Sequence, residues 1–306
     1  MPTEISVTLP LSQALDRTKR MLFEPFDLRK WLVIGFCAWL ATLGEAGFRG
    51  VRKNFGTHQG SPVSTAKDWF EQVRQYVTPN LWWLVPVALG VAVLAIAVWL
   101  TVLWLSSRGH FMFLHCVALD RAEVGVPWNE YAREGNSLFV FRLVVAIIAM
   151  LLLAPMAAGI IWLIGAMVMQ GAPSLTGVLG AVGLAALAVV VWPAWWLVAR
   201  FTRDFVVPVQ FARRIRCVEA CRIVLSLVSS NIANFIIYFL FQIALGAAIG
   251  IATFVLVLAT CCVAGCLLAI PFVGTVLYLP ILVLLRSYSL YYLAQFGPEW
   301  NVLTNL

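Results

Sequence analysis

Apolar residues run along this chain in long, nearly uninterrupted blocks rather than in alternation. Residues 143–199 contain no Asp, Glu, Lys or Arg, and neither do residues 223–285. Each run is long enough for two membrane helices of about 20 residues. Residues 75–107 form one more uncharged run. In hydrocarbon every backbone N–H and C=O must find a partner within its own segment or in a closed barrel, and runs this continuous lack the alternation of barrel strands. The pattern therefore predicts an all-α, polytopic transmembrane bundle. The expected spans are 31–47, 81–105, 138–165, 175–199, 232–257 and 265–289. The first is short, with only Trp31 to Gly44 uncharged before Glu45.

Three segments preceding the odd-numbered spans carry amphipathic patterns. Leu11, Ala14, Leu15, Thr18 and Leu22 would line one face of a helix whose other face holds Asp16, Arg17, Lys19 and Arg20, with Ser12 as its cap. In the second, Pro127 is placed to start a helix bearing Trp128, Tyr131 and Ala132, with a break at Gly135-Asn136. The third runs from Pro208 to a break near Asn231. Surface helix, polar break, span and return span thus recur three times, which predicts three helical hairpins with interfacial helices. Between the first two spans, a Gly-rich stretch from Glu45 to Gly60 reads as a flexible loop. Ala66, Trp69, Phe70, Val73, Tyr76 and Val77 then read as a helix on the outer leaflet.

Charge sets the expected orientation. Of 21 Lys and Arg, 16 fall on the side that holds the N-terminus if all six spans cross, and five fall in the first outer loop. If 31–47 does not cross, the split is 10 against 11. The excess of basic residues on cytoplasmic loops favours six crossings with both ends in the cytoplasm. The expected layout is a cytoplasmic amphipathic segment 1–30, an outer loop 45–80, cytoplasmic loops 106–137 and 200–231, and a tail 294–306. The start, MPTEISVTLPLSQALDRTKR, has no apolar core ahead of its charges and does not read as a cleavable signal, so the first span is expected to act as the membrane signal. A net charge of +7 beside membrane spans reads as topology and headgroup contact rather than nucleic-acid binding.

The stretch RFTRDFVVPVQFARRIRCVEACRIVLSLVSSNIANFIIYF resembles the membrane domain fused to bacterial glycerophosphodiester phosphodiesterases and its stand-alone relatives. The resemblance is carried by Asp204, Phe205, Val206, Val207, Pro208 and Val209, the helix around Ala220 to Leu227, and Asn231 or Asn234. SSRGHFMFLHCVALDRAEV with PWNEYAREGNSLFVFR resembles the cytoplasmic loop of a bacterial six-span family of unknown function. The resemblance implies a bacterial inner-membrane architecture. The acidic and histidine residues of a phosphodiesterase domain are missing, so it does not imply the enzyme.

No Walker, HExxH, GxSxG or GxGxxG motif occurs. Asp204 reads either as a carboxylate holding the basic surface helix to the bundle or as a solvated charge. Arg142 and Arg286, near span ends, read as structural side chains snorkelling to headgroups. His110, His115, Cys116, Cys217 and Cys221 share one side of the membrane in this topology and are the candidate metal ligands, but their spacing matches no zinc motif and small buried cysteines are the preferred reading. Cys261, Cys262 and Cys266 are placed where a disulfide could form, although small-residue packing is preferred. Gly246 and Gly250 form a GxxxG, read equally as contact within the monomer or as dimerisation. Pro86, Pro155, Pro193, Pro271 and Pro280 are expected to kink spans, and Gln242, Pro271 and Gly274 mark a candidate pathway, since prolines at 271 and 280 could break a transporter-like helix.

The expected function is non-enzymatic, with no cofactor: a membrane protein that organises lipid or supports a partner protein or a second copy of itself. Arg17, Lys19, Arg20, Arg213, Arg214 and Arg216 would contact anionic headgroups. The alternatives are a transporter or channel for a small apolar or lipid-like solute, and a metal- or thiol-dependent membrane enzyme using the Cys/His group.

Overall fold

A computed structural model of the chain describes residues 5–46, 62–170, 175–260 and 263–303. The Gly-rich stretch after Ala46 and Cys261 and Cys262 lie outside the described residues. Among the described residues the fold is all-helical. The helices are α1 (Leu9–Phe23), α2 (Leu28–Ala46), α3 (Pro62–Leu119), α4 (Gly125–Glu130), α5 (Ala132–Gln170), α6 (Leu175–Phe201), α7 (Val207–Arg213), α8 (Cys217–Ser230), α9 (Ile232–Ala259), α10 (Val263–Ala269), α11 (Pro271–Leu277) and α12 (Leu279–Ala294). A π-helical turn, Thr202–Val206, joins α6 to α7, and a 3-10 turn follows at Pro298–Trp300.

Four stretches are long and apolar enough to cross a membrane: Thr78–Leu119, Ala132–Met167, Leu175–Arg213 and Ile232–Ala259. The pair α11 and α12 would make a fifth, broken crossing, bent by 61°. The predicted sixth span is therefore not one helix. Pro271 and Pro280 each sit in the first turn of a new helix, where a missing N–H costs nothing, and Ile270 before Pro271 is extended. The first predicted span is α2, whose 19 residues include Arg29, Lys30 and Glu45, which keeps it out of the apolar set.

Other boundaries also move. The predicted loop 106–137 is helical at its start, because α3 continues unbroken to Leu119 with Phe111 to Ala118 buried. The break expected at Gly135-Asn136 falls instead at Tyr131, and α5 runs through both residues. Thr8, not Ser12, precedes α1, and the Ser12 hydroxyl donates to the Leu9 carbonyl within the helix. Leu15, expected on the buried face, is exposed, while Ala14, Thr18 and Leu22 are buried. In the predicted tail, Trp300 and Val302 are buried.

The chain divides into two compact units. The first comprises Met1–Ala46, Leu103–Phe141 and Arg200–Leu306, the second Gly47–Val102 and Arg142–Ala199. The first holds nearly all of the buried core. Within it α2 and the end of α3 run antiparallel in close contact. A Cβ at Gly109 would lie 2.6 Å from the Ala41 nitrogen and the Leu40 carbonyl carbon, and the Ser106 hydroxyl donates to the Ala41 carbonyl. The second unit exposes its large apolar side chains, with Trp82 at 81%, Leu151 at 70% and Val189 at 68%. That surface suits hydrocarbon rather than water.

Candidate functional site

The chemistry of the first unit concentrates around the π-helical turn. Residues 200–206 leave an apolar helix with Arg200, Arg203 and Asp204 in close succession, and the wider π turn, a feature common at functional sites, presents Asp204 inward. Arg200 Nε donates to Asp204 Oδ2 at 2.9 Å, and Arg203 Nε lies 3.5 Å from Oδ1. From α9, the Tyr238 hydroxyl donates to Asp204 Oδ2 at 3.3 Å and Gln242 Nε2 donates to the Tyr238 oxygen at 2.9 Å. Arg200 Nη2 closes the ring by donating to Gln242 Oε1 at 2.6 Å. A buried carboxylate held by charged and neutral donors in this way is a strong, specific joint between the α6–α7 turn and α9.

An aromatic wall backs the ring. Tyr238 stacks on Tyr288 at 5.5 Å and lies 4.9 Å from Phe205 and 4.5 Å from Tyr292. The Tyr292 hydroxyl donates to the Asn234 carbonyl at 2.8 Å. Arg286 of α12 is turned into this region with 6% of its surface exposed, and its Nη1 donates to the Arg203 carbonyl at 2.5 Å. The snorkelling orientation expected for Arg286 is thus replaced by an inward one, because a backbone carbonyl beside the π turn is within its reach. Arg142 is half-buried on α5.

The six predicted headgroup residues separate by environment. Arg17 departs from expectation: its Nη2 donates to the Val117 and Ala118 carbonyls at 2.7 and 2.8 Å, capping the C-terminus of α3. Arg214 is exposed, pairs with Glu130 and covers the Tyr131 ring at 3.9 Å. Arg213 lies 5.1 Å from the Trp300 ring centre but is exposed, as are Arg20 and Arg216. Lys19 is exposed and pairs with Glu24 at 3.2 Å.

The cysteine and histidine candidates are not gathered into one cluster. Cys116 Sγ lies 3.8 Å from Cys37 on α2, a partner the sequence did not suggest. Cys217 and Cys221 pair on α8. Their mutual hydrogen bond pushes the Cys217 thiol up and the Cys221 thiol down. His110 is buried on α3, and the His115 ring sits edge-on between Tyr131 and Phe211 at 5.8 and 6.4 Å. Among the described residues no three of His, Cys, Asp and Glu are placed to hold a metal ion. Tyr131 is buried against Phe211, and this pushes its phenol up to about 12. Cys266 is an exposed free thiol on α10.

The candidate pathway residues are occupied otherwise. Gln242 belongs to the ring, and a Cβ at Gly274 would strike the Leu268 carbonyl oxygen, so α10 and α11 meet there without space between them. Pro271 is exposed. A Cβ at Gly246 or Gly250 would meet nothing within 4 Å, so among the described residues the GxxxG makes no contact within the chain. Sequence reasoning named Asp204 and Gln242 but missed Arg200 and Tyr238. The signal was available, since Arg200/Asp204 and Tyr238/Gln242 are both polar pairs four residues apart in or beside apolar helices.

These several long apolar helices, with a polar unit built around buried charges, fit a multi-pass α-helical membrane protein. The chain belongs to the family described as Family of unknown function (DUF7544), whose model matches residues 6–298. No curated protein and no solved structure matches it.

Proposed function

We propose that this chain is a non-enzymatic multi-pass protein of a bacterial inner membrane that organises anionic lipid. In this reading α2 adds a sixth crossing, the spans pair as three hairpins, and the polar segments and both termini face the cytoplasm. The resemblance of residues 200–239 to the membrane domain of glycerophosphodiester phosphodiesterases supports the same setting.

The observation behind the lipid reading is the α1–α2 corner. Phe26 is 61% exposed and Leu28 60% exposed, outside every apolar span, and Phe23 is exposed beside them. Lys19, Arg20 and Arg29 are exposed at the same corner. Trp31 anchors the cluster, with its ring 5.6 Å from Phe23 and 5.7 Å from Phe26 and its Nε1 donating to the Leu22 carbonyl. Apolar rings flanked by cations match the boundary between acyl chains and anionic headgroups. The transporter reading is less well supported, because Gln242 and Gly274 are committed to packing.

The test is lipid enrichment. The full chain is incorporated into vesicles of equal phosphatidylglycerol and phosphatidylcholine, extracted gently, and its retained lipids are quantified by mass spectrometry. Each cation near the surface contributes about 1 kcal/mol, so Lys19→Gln/Arg20→Gln/Arg29→Gln should lose most of the phosphatidylglycerol enrichment. An unchanged lipid ratio would overturn the proposal.

A further inference from the structure

Arg286 presents a second, separate feature, beyond the surface corner. Its Nη1 is committed to the Arg203 carbonyl. Its Nε and Nη2 are buried and have no hydrogen-bond partner among the described residues. These two nitrogens form the side edge of the guanidinium, with two parallel N–H bonds in one plane spaced to meet two oxygens of one acid group. The nearest described carboxylate does not take that edge. Asp204 Oδ2 accepts from Arg200 and Tyr238, and Oδ1 faces Arg203.

A buried cationic edge without an acceptor is costly, and in native proteins such groups are satisfied by a partner, an ion or a ligand. An intramembrane arginine turned into the protein commonly marks a functional site. Here Arg200 and Arg203 lie on the neighbouring turn and add positive potential to the same region.

We propose that the side edge of Arg286 is the seat of one phosphate group, bound through two oxygens inside the polar unit. Phosphate is the acid group that surrounds a membrane protein in its lipid headgroups and in the adjoining aqueous phase. Both sources offer the same pair of oxygens to Nε and Nη2. The seat holds the phosphate by hydrogen bonds and charge alone, and no bond is made or broken.

The experiment follows thermal unfolding of the full chain in uncharged detergent with four additions at matched ionic strength: inorganic phosphate, short-chain phosphatidylglycerol, short-chain phosphatidylcholine and chloride. The wild-type chain should be stabilised by phosphate or by phosphatidylglycerol relative to chloride, and whichever acts identifies the source. Stabilisation by phosphatidylcholine alongside phosphatidylglycerol would show that the phosphodiester is recognised irrespective of net headgroup charge. Arg286→Lys keeps the charge but loses the fork, so its apparent affinity should fall by about tenfold or more. The surface variant Lys19→Gln/Arg20→Gln/Arg29→Gln should keep the wild-type response, and this arm decides the matter if Arg286→Lys does not fold. A response lost in the surface variant, unchanged in a folded Arg286→Lys, or absent from the wild type would overturn the seat. Loss of lipid enrichment in the surface variant with its phosphate response intact separates this seat from the headgroup corner.

Discussion

At the scale of single residues, the charged ring determines how much one substitution matters. Asp204→Asn leaves two guanidiniums beside a neutral amide and should destabilise the chain by about 3 kcal/mol, because removing one member strands the buried charge of the others. Tyr238→Phe removes one neutral donor and should cost about 1 kcal/mol. Unfolding in detergent, followed by circular dichroism, measures both, and equal effects would contradict the central role of the carboxylate. At Gly109 the obstacle is backbone, which cannot step aside. Gly109→Val should therefore separate α2 from α3 and cost at least about 2 kcal/mol. Tyr131 offers a readout by pH. Its phenol titrates near about 12 in the fold, above the ordinary value of 10.0, so the fold binds that proton more tightly than the unfolded chain. Stability from this group is full below about 10 and declines as pH rises toward 12. The absorbance difference between wild type and Tyr131→Phe should show the phenolate appearing only at the upper end of that range.

At the scale of elements, the apolar helices were legible because the signal is local: a run of uncharged residues can satisfy its backbone only by coiling on itself. The kinked sixth span was legible for the same reason, as Pro271 and Pro280 act within a few residues of themselves. What α1 does was not legible. Its amphipathic pattern predicts a helix on a surface, but that surface is the protein, since Ala14 and Leu22 are wholly buried and Arg17 reaches carbonyls 100 and 101 residues away. Periodicity says that a face is covered and not by what. The same limit explains the Cys37–Cys116 contact, which joins two segments with no shared motif. The charged ring lies between these extremes, because two i,i+4 polar pairs were visible while their meeting was not. Arg17→Ala should cost about 1 kcal/mol through the exposed end of α3, as other helix C-terminal cations do. Deleting residues 1–24 should lower the unfolding midpoint sharply, and no change on deletion would show that α1 does not belong to the core.

At the scale of the whole molecule, the two units differ in what they bury. One carries the charged ring, the aromatic wall and the capped helix ends, while the other displays Trp82, Leu151 and Val189 outward. Family membership over residues 6–298 places both units within one family. In the topology we propose, residues 45–80 form an outer loop and the other polar segments are cytoplasmic. The most direct measurement is labelling of intact cells with a membrane-impermeant maleimide, using Lys53→Cys and Arg133→Cys and scoring the increase over the native cysteines. Lys53→Cys should react from outside, and Arg133→Cys should react only after the membrane is opened. Labelling of Lys53→Cys solely after opening would contradict the six crossings and the cytoplasmic placement proposed for the α1–α2 corner.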